Sequence, residues 1–156
     1  MSSKKKLLIV EDDSDVRLGY QILFKAHNYE TVFATDSISA VSEARKHHPD
    51  LIILDLGLPA GDGFIVLERF RANNNAPSIV ERFGENLDLS LIPVIVVSGR
   101  DIHGNKQRAL MAGAKAFLQK PWNDNELLAL ISELLGQRDA SISEPVTSPS
   151  YETVQK

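Results

Sequence analysis

Short, wholly apolar runs alternate along this chain with stretches of helical periodicity. Leu7–Val10, Thr31–Ala34, Leu51–Leu54, Pro93–Val97 and Ala116–Leu118 read as strands. Three runs, Leu7-Leu8-Ile9-Val10, Leu51-Ile52-Ile53-Leu54 and Val94-Ile95-Val96-Val97, show no polar alternation. Strands covered by helices on both faces look like this, because neither face meets water. Between the runs, Val16, Tyr20 and Leu23 recur at helical spacing, as do Ala40 and Ala44. The last helix is the clearest. Leu127, Ile131 and Leu134 form one stripe, widened by Leu128 and Leu135. Asn123 suits its N-cap with Glu126 three residues on, and Gly136 suits its end. Asp13, followed by Ser14, suits the cap of the first helix.

Five strands each followed by a helix predict an α/β fold, an open and doubly wound parallel sheet with right-handed crossovers. In such sheets the site lies beyond the carboxyl ends of the strands, where the strand order reverses. Two segments interrupt the rhythm. Residues 73–91 make a connection far longer than the usual ~2–6 residues, with a predicted short helix near Ser78–Phe83. Residues 139–156 are rich in Ser, Thr, Pro and Glu without an apolar period, which predicts a disordered tail or truncated linker. The folded domain is expected over residues 1–138.

Composition narrows the function classes. The 156 residues, 43% hydrophobic and 24% charged, suffice for one domain with a real core. A net charge of −4 carries no nucleic-acid-binding signature. The absence of cysteine excludes disulfides, thiolate metal sites and a cysteine nucleophile. The basic start, Met1–Lys6, is followed only by Leu7–Val10 before Glu11, too short for a signal-peptide core. No later run approaches membrane-spanning length, so a cytoplasmic address and no membrane contact are expected.

The chemistry sits where strands end. The first gives Glu11-Asp12-Asp13, the third Asp55, the fourth Ser98-Gly99 and the fifth Lys120-Pro121. One sheet edge thus gathers carboxylates, a hydroxyl and an ammonium. Crowded carboxylates raise one another's pKa unless a cation sits among them. Mg²⁺, a hard ion favouring a few carboxylates with phosphate and water, is the natural choice. A carboxylate beside it, with Lys120 and Ser98 opposite, has the equipment for attack on a phosphoryl group. Singly, each residue has a plainer reading: Asp55 as a turn residue, Lys120 and Arg100 as solvated charges, Phe117 as core filler. The ordered set argues otherwise. His27, His47, His48 and His103 fall on predicted helices or loops and read as surface residues, not ligands.

The segments Val10-Glu11-Asp12-Asp13, Asp55-Leu56-Gly57-Leu58-Pro59-Ala60-Gly61-Asp62-Gly63, Ser98-Gly99 and Lys120-Pro121-Trp122 resemble the receiver domain of two-component response regulators. The resemblance covers about residues 5–137. It implies a flavodoxin-like (βα)5 sheet of strand order 2-1-3-4-5, an order that the residues alone do not supply. It further implies phosphorylation at Asp55, with Mg²⁺ held by Asp12, Asp55, the Gly57 backbone carbonyl and, through a water, Glu11. Ser98 and Lys120 would contact the phosphoryl oxygens, and Ser98 with Phe117 would form the switch. The implied donor is a histidine kinase or phosphotransfer protein, with no direct nucleic-acid binding by this domain. Dimerisation through the fourth helix, fifth strand and fifth helix is compatible with the resemblance.

Three features depart from the common pattern: Gly57 where a larger side chain is usual, Arg100 two residues after Ser98, and the long 73–91 connection. Gly57 and Arg100 are expected to tune the loss of phosphate. The expected function is a phosphorylation-activated switch with at most residual autophosphatase activity, not a conventional enzyme. The alternative is a receiver fragment of a larger multidomain regulator or hybrid kinase. A haloacid-dehalogenase-type phosphatase uses similar groups, but places its nucleophile and acid/base two residues apart after the first strand. A phosphorylation-independent interaction module would not need Glu11, Asp12, Asp55, Ser98 and Lys120 together.

Overall fold

The computed structural model describes residues 3–58, 62–72, 89–99 and 104–136. Among them, β1 (Lys6–Val10), β2 (Glu30–Ala34), β3 (Leu51–Asp55), β4 (Val94–Ser98) and β5 (Ala116–Gln119) form one sheet. They alternate with α1 (Ser14–Ala26), α2 (Ser37–His47), α3 (Asp62–Ala72), α4 (Asn105–Met111) and α5 (Asp124–Leu134). Neighbouring strands all pair in parallel, in the order β2-β1-β3-β4-β5. This is the expected flavodoxin-like sheet, and each apolar run matches its strand to within one residue at either end.

The runs stay apolar because alternate side chains enter two different cores. Leu8, Val10, Ile52, Leu54 and Val96 pack with Ala40 and Ala44 of α2, Val66 and Phe70 of α3 and Ala109 of α4. Leu7, Ile9, Ile53, Ile95 and Val97 pack with Tyr20 and Phe24 of α1 and Leu127, Leu130 and Ile131 of α5. Leu130 falls outside the predicted α5 stripe, yet it is fully buried. A helix lying flat on a sheet buries a broader face than a single stripe.

Helix starts follow the sequence signals. The Asp13 side chain caps α1, accepting the N–H of Asp15 at 2.8 Å and of Val16 at 3.2 Å. Asn123 caps α5 by accepting the N–H of Asn125 at 2.8 Å, and Gly136 follows the helix with φ +70°. Asp36 and Ser39 form a capping box on α2, whose hydrogen bonds hold the Asp36 carboxyl below its usual range.

Of the long connection only its end is described, a 3-10 turn at Leu89–Leu91 that buries Leu89 and leads into β4. The predicted helix near Ser78–Phe83, Arg100, His103 and the 139–156 tail lie outside the described residues. His27 and His48 are exposed, and His47 contacts Glu43 at 3.0 Å within α2, none of them at a strand's carboxyl end.

Burial predicts a sharp contrast between two leucines. Leu130→Ala should cost about 3 kcal/mol of unfolding free energy through lost transfer and a cavity. Leu18→Ala, at a side chain 55% exposed, should change it by less than about 0.5 kcal/mol. Urea denaturation with unchanged slopes checks both.

Candidate functional site

In this strand order the chain leaves β1 toward one sheet edge and later builds β3, β4 and β5 toward the other. The carboxyl ends of β1 and β3 therefore flank a crevice. Register brings their residues level: Val10 lies opposite Leu54, Asp55 opposite Val97, and Ser98 opposite Gln119. Glu11, Asp55, Ser98 and Lys120 thus reach one sheet edge, while Asp12 extends beyond it.

Three of these polar groups are buried at the rim of an apolar sheet: Glu11 is 2%, Ser98 5% and Asp55 8% exposed. The Lys120 Nζ lies 3.2 Å from both Glu11 Oε1 and Asp55 Oδ2. The second Asp55 oxygen, Oδ1, accepts the Gly57 N–H at 2.9 Å. One carboxylate oxygen each from Glu11, Asp12 and Asp55 lie within 4.8 Å of one another. Two of the three acids therefore share one ammonium. The imbalance registers at Glu11: burial, followed by the adjoining Asp55 carboxyl, pushes its pKa up to about 7 against the pull of Lys120. Burial also works against the Lys120 ammonium, but Asp55 and Glu11 outweigh it and its pKa is raised. An all-oxygen donor set with surplus negative charge and no sulfur or imidazole fits a hard divalent ion, Mg²⁺ among them.

Local contacts hold this arrangement in place. The Glu11 N–H donates to the Ala34 carbonyl at 2.9 Å, extending the β1–β2 pairing by one bond. The Asp12 N–H donates to Glu11 Oε2 at 3.1 Å. From α1, the Arg17 Nη1 donates to the carbonyls of Glu11 at 3.0 Å and Asp12 at 2.8 Å. Lys120 donates its backbone N–H to the Ser98 carbonyl at 2.8 Å, joining the ends of β4 and β5. Behind it, Trp122 stacks on Tyr20 at 5.1 Å, and Tyr20 on Phe24 at 5.7 Å. Gly63 packs against the loop that follows β3 so closely that a Cβ would stand 2.6 Å from the Leu56 Cα.

The remaining sequence-derived positions fall as follows. Phe117 is 3% exposed and packs into the core beneath α2, α3 and α4, opposite Val96 of β4. A Cβ on Gly99 would meet nothing within 4 Å, whereas one on Gly57 would press Asp55 Oδ1 at 3.3 Å. Gly63 and Trp122 lie within the segments that carry the resemblance and Tyr20 on the periodic face of the first helix, but their contacts, like those of Arg17, are not singled out by the sequence pattern. An arginine one turn into the helix after an acidic pair, and a glycine opening a helix, are the only signals they leave.

The family model described as the response regulator receiver domain matches residues 7–132. This chain belongs to that family. The receiver is 32% identical over 145 residues to the transcriptional regulatory protein PrrA of Mycobacterium tuberculosis, covering 91% of this chain and 56% of PrrA. The chain thus spans about half the length of that relative. It is 30% identical over 132 residues to the polar-differentiation response regulator DivK of Brucella ovis, covering 85% of this chain and 97% of DivK. Its fold matches the receiver domain of the sensor histidine kinase PA1611 from Pseudomonas aeruginosa, which has magnesium coordinated in its active site cleft. That match has a TM-score of 0.70 and 23% identity, over 85% of this chain and 98% of the other. The chain is therefore a phosphorylation-activated signalling domain of two-component systems, and receiver domains as a family are phosphorylated by histidine kinases and are not classical enzymes. Among the described residues, no helix is long and apolar enough to cross a membrane.

The Gly63 contact gives a test of how tightly the loop is packed. Gly63→Ala should lower stability by about 1–3 kcal/mol, because the overpacked neighbour is backbone and outweighs the gain in helix propensity. Gly99→Ala should change stability by less than about 0.5 kcal/mol. Parallel denaturation curves decide between these outcomes.

Proposed function

We propose that Asp55 is the residue that accepts the phosphoryl group in this receiver. One observation carries the reading: the Asp55 carboxylate is bridged by Lys120 to a buried Glu11, with the Asp12 carboxylate in the same cluster. The Gly57 N–H fixes the plane of the Asp55 carboxylate from one side, and Lys120 orients it from the other. A carboxylate oxygen attacks phosphorus and forms the P–O bond of an acyl phosphate. The P–N bond to the donor's phosphohistidine breaks, and its electron pair leaves with the imidazole. Lys120 transfers its hydrogen bond from Asp55 to a phosphoryl oxygen, and the Ser98 hydroxyl donates to another. Mg²⁺, held by Asp12, Asp55, the Gly57 carbonyl and a water on Glu11, supplies charge neutralisation when bound.

The same reading assigns the output. Ser98 is drawn inward toward the phosphoryl group, and the open Gly99 leaves space into which Phe117 turns. The phosphoryl contacts thereby bias an existing equilibrium between inactive and active forms. The partner is a histidine kinase or phosphotransfer protein, and the active form pairs through α4, β5 and α5, where Met111 is 73% exposed. Residual autophosphatase activity depends on water approaching over Gly57, and Arg100 is the second residue that tunes it. Residues 1–138 act as the receiver in the cytoplasm, and 139–156 serve as tail or linker.

Acetyl phosphate with Mg²⁺ should add one phosphoryl mass to the wild type, seen by intact-mass spectrometry. Asp55→Asn should show none, and chelation of Mg²⁺ should abolish the adduct in the wild type. A phosphoryl adduct that persists on Asp55→Asn would defeat the assignment.

A further inference from the structure

Adjacent residues in a strand point to opposite faces, and their carbonyls point to opposite sides. A site that needs Glu11 and Asp12 together must therefore break strand geometry between them. The chain does so immediately after Val10, where β1 ends. At that break a single nitrogen, the Arg17 Nη1, donates to two consecutive carbonyls, that of Glu11 at 3.0 Å and that of Asp12 at 2.8 Å. One donor cannot reach two successive carbonyls of a regular strand. The shared contact therefore belongs to the bent backbone that turns both carboxylates toward Asp55.

We propose that Arg17 is a positioning residue for the metal-binding acids: its guanidinium pins the Glu11 and Asp12 carbonyls so that neighbouring carboxylates face one pocket. The proposal rests on reading Glu11, Asp12 and Asp55 as the Mg²⁺ site. Other bonds fix the rest of this loop. The Glu11 N–H is held by Ala34, the Asp12 N–H by Glu11 itself, and the Asp13 carbonyl by the Arg17 N–H at 3.0 Å. Only the two carbonyls between these points depend on the Arg17 side chain among the described contacts. Arg17 touches neither acid's carboxylate. It acts through the backbone that carries them, as outer-shell partners of metal ligands do.

The sign of its effect separates positioning from charge. A cation beside a metal site repels Mg²⁺, so if charge were all that mattered, removing Arg17 would tighten binding. Loss of positioning weakens it instead. Mg²⁺ titrations of the full chain followed by amide NMR should show at least about a tenfold loss of affinity in Arg17→Met. Arg17→Lys keeps the charge and has three donors on one nitrogen, so its affinity should fall between the two. In the metal-free protein, hydrogen exchange at the Asp12 amide should accelerate in Arg17→Met, while the amides of β3 and β4 keep wild-type protection.

Equal or tighter Mg²⁺ binding by folded Arg17→Met would overturn the proposal. If that variant does not fold, Arg17→Lys decides: binding weaker than wild type at unchanged charge supports positioning, and identical binding overturns it. Failure of the wild type itself to bind Mg²⁺ would overturn the site reading, and this proposal with it.

Discussion

The contact on which the site depends is the Lys120 ammonium lying 3.2 Å from both Glu11 and Asp55. It joins residues 109 positions apart in the chain, and no local structure could bring them together. Three parallel pairings are needed first: β1 with β3, β3 with β4, and β4 with β5. The ammonium then holds two buried carboxylates that would otherwise repel each other at the rim of an apolar sheet. It is not enough to balance them. With Asp12 in the cluster the acids outnumber the cation, and burial, followed by the adjoining Asp55 carboxyl, raises the pKa of Glu11. Buried charges without full compensation destabilise a fold. Here the deficit lies where the proposed divalent ion and phosphoryl group would be received, so that binding would relieve what folding leaves unresolved.

Much of this was legible in the sequence because the two-core architecture leaves a direct trace. Leu7-Leu8-Ile9-Val10 has no polar member, since Leu8 and Val10 face one core while Leu7 and Ile9 face the other. Strand ends followed directly, and with them the positions of Glu11, Asp55, Ser98 and Lys120. The strand order did not follow from the residues. It depends on which strands pair across long sequence separations, and the family resemblance supplied it. Contacts made by backbone also escaped. The bridging role of Arg17 depends on the path of two carbonyls, and the constraint at Gly63 on a backbone 2.6 Å from an imagined Cβ. Neither leaves a hydrophobic period or a charge pattern. Leu130 escaped for a different reason, since the sheet covers more of α5 than one stripe describes.

Rigid support for a strained acid cluster is consistent with the work of a switch. Asp55 ends the fully buried strand β3 and the buried Glu11 directly follows β1, whereas Asp12 stands exposed just beyond. The aromatic stack of Trp122, Tyr20 and Phe24 ties the Lys120 loop to α1, the helix that also carries Arg17. One helix therefore braces both the acids and the lysine that balances them.

The central claim is that the metal-free site holds more negative charge than its own cation can balance. The most direct measurement is the unfolding free energy of the wild type and Asp12→Asn, each in chelator and in excess Mg²⁺. Asp12→Asn removes one charge with almost no change in shape. The account predicts that the variant is the more stable protein in chelator, and that the order reverses in Mg²⁺ because the wild type gains more from the ion. A variant no more stable than wild type without metal would contradict it.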